Sequence, residues 1–190
     1  MLFGLFLRLI FFSGIGPSDD LAYSSYAAAM HKGVAIDSLE NTLAVRTGII
    51  YATSVSYKIF GINDFSSVLF VLLTSIAGII LIFYFGKLLF NEKVGLMASF
   101  LLSFFPLDVV YSTRLMSDLP SAFFMGLGIY IFLHSELKSK PRYGIGYFLS
   151  GAFIGIGYLI RESALLIALF FIVYILYKKR IKKEYFLVPF

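Results

Sequence analysis

Apolar residues fall along this chain in long runs rather than in short alternations, and six runs dominate it. They cover roughly residues 1–16, 66–85, 94–111, 119–134, 144–160 and 163–177. About twenty apolar residues in a helix cross a hydrocarbon core. A backbone surrounded by lipid must satisfy its own hydrogen bonds, so each run predicts a transmembrane helix. Several runs are a little short and suit a thin bilayer or an extension into their polar flanks. Tyr185–Phe190 reads as the opening of a seventh span. Residues 46–60 (RTGIIYATSVSYKIF) are also apolar, but a full span there would move the KKRIKK cluster at 178–183 to the outer side. They are predicted to form an interfacial or re-entrant helix, with Arg46 and Lys58 reaching headgroups. The expected fold is all-α: a polytopic transmembrane bundle of about six spans plus the start of a seventh. Interfacial helices lie in a long first outer loop over about 17–65, and residues 1–190 form a single membrane module.

Composition supports this class. Hydrophobic residues make up 59% of the 190 and charged residues only 14%. Soluble domains carry about a quarter charged residues, so an ordinary soluble fold is excluded, as is a disordered chain. Cysteine is absent, which removes disulfides, thiolate zinc sites and a cysteine nucleophile. The two histidines, His31 and His134, are far apart in sequence and do not suggest a metal centre. A cleaved signal peptide is a poor reading of the N-terminus. Arg8 lies inside the first run, no cation precedes it, and no small-x-small cleavage site follows.

Charge placement orients the spans. With the N-terminus cytoplasmic, the inner connections hold Lys87, Lys93, Lys138, Lys140, Arg142, Lys178, Lys179, Arg180, Lys182 and Lys183, which is ten of the sixteen Lys and Arg. The outer side holds Lys32, Arg46, Lys58, Arg114 and Arg161 with eight acids: Asp19, Asp20, Asp37, Glu40, Asp64, Asp108, Asp118 and Glu162. This is the bias of the positive-inside rule and puts the N-terminus inside and the stretches with candidate chemistry outside; the expected location is the plasma membrane.

Three outer stretches carry candidate chemistry. In GPSDDLAYSSYAAAMHKG (16–33), Gly16-Pro17 ends the first span, Ser18 or Asp19 can cap a helix, and the Ala-rich run continues it to Gly33. Asp20, Tyr23, Ala27 and Met30 then share one face. The acids either complement the helix dipole or supply a general base at the membrane surface. In FPLDVVYSTRLMSDLPSAFF (105–124), Asp108, Arg114 and Asp118 crowd one connection, where Asp118 can cap the next span and Arg114 can pair with either acid. In the third, Arg161 and Glu162 end the fifth span. Adjacent helix residues do not face each other, so each should find a different partner.

At these residues the sequence resembles the GT-C glycosyltransferases, in particular the protein O-mannosyltransferase and aminoarabinose-transferase branch of glycosyltransferase family 39 type. The resemblance lies in Asp19-Asp20-x-x-Tyr23 with Ala27, in Arg46, Tyr51 and Phe60-Gly61-x-Asn63, and in Tyr84 with Gly86-Lys87-Leu88-Leu89-Phe90. It continues through Phe105-Pro106, Tyr111-Ser-Thr-Arg114 and Asp118-x-Pro120, and through Gly151, Gly155 and Arg161. Arg8 in the first span also fits these enzymes. The resemblance implies transfer of a sugar from a polyprenyl-phosphate donor to a protein, lipid or glycan acceptor on the outer face. It implies Asp19 as the base, Asp20 as its support or as a binder of the acceptor, and Asp118 as a second acid that positions the acceptor or a divalent cation. No other cofactor and no nucleic acid is expected. A leaving lipid phosphate needs cations, for which Arg114 and Arg161 are the candidates and Lys58 a weaker one. Tyr23, Glu162 and Arg46 are expected to support the acceptor side. Phe and Tyr side chains can line an isoprenoid groove, although aromatics facing lipid are common. Members of the family usually have more spans and a C-terminal outer domain, so the chain reads as an N-terminal module. Two other classes remain open, a transporter or flippase-like subunit and a non-catalytic membrane partner.

Overall fold

The computed structural model describes residues 2–34, 42–137 and 143–186. Asp37, Glu40, Lys138, Lys140, Arg142 and the expected seventh-span start beyond residue 186 lie outside them. All regular structure among the described residues is helical. The first apolar run is helical only over α1 (Leu2–Ile10). Gly14 then takes φ +70°, which ends any helix, and non-helical chain leads to α2 (Asp19–His31). A short 3₁₀ turn at Thr42–Val45 precedes α3 (Thr47–Phe60), the segment expected at the interface, which is one continuous helix. Gly61 breaks it at φ +76°. Asn63 and Ser66 then form a reciprocal capping box for the 26-residue α4 (Asp64–Leu89): Ser66 N–H donates to Asn63 Oδ1 (2.8 Å) and Asn63 N–H to Ser66 Oγ (3.2 Å).

The run expected as one span over 94–111 is divided. α5 (Glu92–Phe104) stops where Phe105, held extended by the proline after it, turns the chain, and α6 (Pro106–Tyr111) restarts with Pro106 in its first turn. α7 (Asp118–Leu137) and α8 (Tyr143–Ile160) match the next two runs within a few residues. A 3₁₀ turn at Glu162–Ala164 leads into α9 (Leu165–Phe186). Tyr185 and Phe186, expected to open a new span, continue α9 instead, because no breaker separates them from the basic cluster. Among the described residues α4 is the one helix long and apolar enough to cross a membrane by length and composition; Gly144–Ile160 and Glu162–Tyr174 are shorter apolar segments.

α7 lies along α8, α4 packs on α5 and α7, and α3 is wedged between α2, α4 and α8. Two close approaches depend on glycine. A methyl group at Gly86 in α4 would come 2.5 Å from the Gly95 Cα in α5, and one at Gly48 in α3 would come 2.7 Å from Ile160 and 3.0 Å from the Leu159 backbone. The Gly48 contact sets the start of α3 against the end of α8, and this brings Arg46 beside Arg161 and Glu162 in space. The buried core lies at that end of the molecule: Tyr23, Ala27, Ile49, Ile50, Tyr57, Val68, Val71, Leu115 and Ile160. The Tyr57 hydroxyl hydrogen-bonds Ser24 (2.8 Å) and Ser67 (2.7 Å), so α2, α3 and α4 are tied through one side chain. Elsewhere large apolar side chains face outward, among them Phe100, Leu101, Phe148, Leu169 and Phe170.

Candidate active site

The face predicted for α2 is the face that is buried. Asp20, Tyr23 and Ala27 are at most 1% exposed, while Asp19 points outward from the first turn. Ser18 is the N-cap residue, but its side chain makes no capping bond. The Asp20 carboxylate folds back instead, and its Oδ2 accepts from the Gly16 N–H (3.3 Å). Its Oδ1 is buried with no hydrogen-bond partner among the described residues. A buried carboxylate oxygen left bare carries a large desolvation penalty, so such groups mark places where a ligand or solvent completes the structure.

The second unsatisfied group lies close by. A methyl group at Gly16 would stand 3.8 Å from both Asp20 Oδ2 and Arg114 Nη1, so acid and guanidinium both approach this one glycine. Arg114 makes no ion pair among the described residues, and its Nε is buried without a partner. Neither of the acids adjacent in sequence, Asp108 and Asp118, holds it. Arg114 sits in a turn anchored by its buried neighbours Ser112, Thr113 and Leu115, which follow directly from α6.

Next to this pair in sequence, on α2 and at the start of α7, Tyr23, Ser117 and Asp118 belong to a rim of partnered side chains. Arg46, just before α3, donates from Nε to both Glu162 carboxylate oxygens (3.2 Å each), and from Nη1 to the Tyr23 hydroxyl (2.5 Å) and to Ser117 Oγ (3.4 Å). One guanidinium thus joins α2, the turn before α7 and the turn after α8. Arg161 pairs with Asp118 at the start of α7. Arg161 and Glu162 therefore do take different partners. Partial burial works against the Arg46 charge, but the hydrogen bonds to Glu162 and Tyr23 outweigh it and hold the guanidinium above its ordinary value. Burial likewise opposes the Glu162 charge. Hydrogen bonds from its own backbone N–H and from Arg46, with the fields of Arg46 and Arg161, hold the carboxyl below its ordinary range.

Lys58 is not brought to this cluster. It is exposed near the far end of α3, about 18 Å from Arg46 at 1.5 Å per residue. Asp108 does not join the cluster either: it is buried and paired with Arg8. Ser117 was not singled out in sequence and Gly16 was read only as the end of the first span, since a lone serine and a glycine before proline carry no chemical signal of their own. Among the described residues no group of three or more His, Cys, Asp or Glu could hold a metal ion. Asp118 and Glu162, the rim acids suited to a cation, are each committed to an arginine.

Residues 47–188 match the family model described as dolichyl-phosphate-mannose-protein mannosyltransferase. That span contains Arg114, Asp118, Arg161 and Glu162 and begins one residue after Arg46, so Asp19, Asp20 and Tyr23 precede it. No curated protein and no solved structure matches the chain.

Proposed function

The chain belongs to the dolichyl-phosphate-mannose-protein mannosyltransferase family, whose members are membrane glycosyltransferases, and from that premise we propose that Asp20 and Arg114 form the centre of a sugar-transfer site. The observation that carries this reading is the juxtaposition of a buried carboxylate and a guanidinium, both incompletely partnered, at Gly16. The donor is a polyprenyl-phosphate sugar and the acceptor a hydroxyl or amine on a protein, lipid or glycan. As the acceptor oxygen or nitrogen attacks the anomeric carbon, Asp20 takes its proton. The bond from that carbon to the phosphate oxygen breaks, and the phosphate leaves with the electron pair. Arg114 meets the growing negative charge with a planar fork suited to phosphate, and Arg161 adds a second cation from the rim. Asp19 takes no proton-transfer role in this scheme, because it faces outward. Asp118 orients the acceptor side through its ion pair with Arg161, and a divalent cation at Asp118 would have to displace that pair.

The protein spans the membrane several times with its N-terminus cytoplasmic and this cluster outside. Support comes from the cation bias, from outward-facing apolar side chains on α5, α8 and α9, and from family membership. Two measurements test the reading. Membranes carrying the chain should bind radiolabelled polyprenyl-phosphate mannose saturably and transfer the sugar; failure to bind it overturns the donor assignment. The chain has no native cysteine, so single cysteines at Asp19 and Lys87 test sidedness, and labelling of the Lys87 site by an impermeant reagent from outside overturns the orientation.

A further inference from the structure

One fully buried charge among the described residues has no part in the transfer scheme. Arg8 in α1 is 0% exposed and completely partnered. Its Nε donates to Ser75 Oγ in α4 (2.9 Å) and its Nη1 to the Gly4 carbonyl (2.8 Å) and the Ser103 carbonyl (3.5 Å). Its Nη2 donates to Asp108 Oδ2, the same oxygen that accepts from Ser75 Oγ (2.6 Å). Ser103 is in the last turn of α5, where Pro106 interrupts the helical ladder, so Arg8 caps a helix end whose carbonyls lack partners. Burying two charges among apolar side chains is costly, and a pair of well-packed hydrophobic residues would often be at least as stable. Ionisable groups inside a membrane bundle usually serve function for that reason.

The pair is one rung of a two-rung contact. Five residues further along both segments, Ser13 meets Thr113: the two hydroxyls are 3.0 Å apart and Ser13 N–H donates to Thr113 Oγ1 (3.4 Å), while the Thr113 hydroxyl has the carbonyls of Val110 (3.0 Å) and Phe11 (3.4 Å) within reach. Arg8 to Ser13 and Asp108 to Thr113 therefore run side by side in one direction and in one register. The next residue after the second rung is Arg114, whose guanidinium stands beside Gly16 and Asp20. We propose that Arg8 and Asp108 are positioning residues: the Arg8–Asp108–Ser75 bridge fixes the register of α6 against α1 and so sets Arg114 opposite Asp20.

For its functional half the proposal rests on the donor site described above; its structural half stands on geometry alone. Both halves are tested with Ser13→Cys/Thr113→Cys, which places the only two cysteines in the chain at the second rung. This pair should oxidise readily to a disulfide. In an Arg8→Met/Asp108→Leu background, which leaves no buried unpaired charge and should keep the fold, oxidation should slow and binding of polyprenyl phosphate should fall roughly 10- to 100-fold. Closing the disulfide in that background should restore most of the binding, which a merely structural role for the ion pair would not produce. Should the double variant fail to fold, Asp108→Asn keeps an acceptor for Arg8 and Ser75 and carries the same two readouts. Oxidation at the unaltered rate without the bridge overturns the proposal. If the unsubstituted chain binds no polyprenyl phosphate, the donor-site reading fails, and the oxidation rate still decides whether the bridge sets the register.

Discussion

The rim and the centre of the outer cluster use the same residue types in opposite ways. On the rim each charge has its partner: Arg46 with Glu162, Tyr23 and Ser117, and Arg161 with Asp118. At the centre Asp20 and Arg114 stand near one another, each with a buried atom that has no partner among the described residues. A protein that wanted only stability would close the central pair as it has closed the rim. Leaving it open costs stability, because an unsatisfied buried polar atom forfeits its hydration. The rim explains how the opening persists: Arg46 ties three elements together from outside, so the centre cannot collapse onto itself. The difference separates charges that hold the frame from charges kept for a ligand.

The sharpest way to break this comparison is at Asp20. Asp20→Asn preserves size and the bond from the Gly16 N–H but removes the base, so transfer should fall by about 100-fold or more while donor binding persists. Asp19→Asn, on the exposed neighbour, should leave transfer within about twofold of normal, as surface substitutions generally do. A transfer assay on the two variants side by side decides which acid of the pair works; the reverse result would return the base to Asp19.

Arg114 comes next. Arg114→Ala should weaken donor binding and slow the chemical step together, since phosphate charge is present before cleavage and grows during it. The combined loss should be roughly 10²-fold or more, comparable to removing one oxyanion donor. Arg114→Lys should rescue only part of it, because a point charge replaces a planar fork. Full rescue by lysine would mean that Arg114 supplies field and not geometry.

These two predictions rest on different amounts of sequence information. The helical runs were legible because hydropathy and period are local properties, and so was the alignment of Asp20, Tyr23, Ala27 and Met30 on one face of α2, but not the burial of the first three, since spacing does not say what packs against them. Separate partners for Arg161 and Glu162 also followed from helix geometry. The breaks were harder to read. Gly14 and Pro106 are visible breakers, but both sit in runs apolar enough to hide them, and average hydropathy does not register a bend. Reading Phe105-Pro106 as a helix restart would have put Asp108 in the first turn of α6, away from the outer acids. Its pairing with Arg8, across about half the chain, is tertiary and leaves no local trace. Lys58 has the right charge and lies on the right helix, but at its wrong end.

On the rim the expected effects shrink. Asp118→Asn removes one member of an ion pair whose side chains are 33% and 52% exposed, so its direct contribution to stability is modest. Transfer should still fall, by roughly tenfold, because Arg161 loses its anchor while the central pair remains. A larger loss than that of Arg114→Ala would invert the ranking of rim and centre.

The smallest effect belongs to the Arg46–Glu162 pair, and it has a defined sign in pH. Glu162 is held below its ordinary carboxyl range in the folded state, so folding favours its charged form. The stabilisation is fully present above the unfolded value of about 4.3 and is lost as pH falls through the lowered folded value. The Arg46 shift is upward and would be lost only far on the alkaline side, outside any useful range. The Glu162 side chain is 47% exposed, so solvent and salt screen the pair to below about 1 kcal/mol. Glu162→Gln should therefore lower the thermal midpoint in detergent slightly at neutral pH, and the gap from the unaltered protein should close as the solution is acidified towards pH 3. It should also narrow in high salt. A gap that widens on acidification would mean that Glu162 is held in its protonated form, and the rim could not then be the charged frame that keeps Asp20 and Arg114 apart.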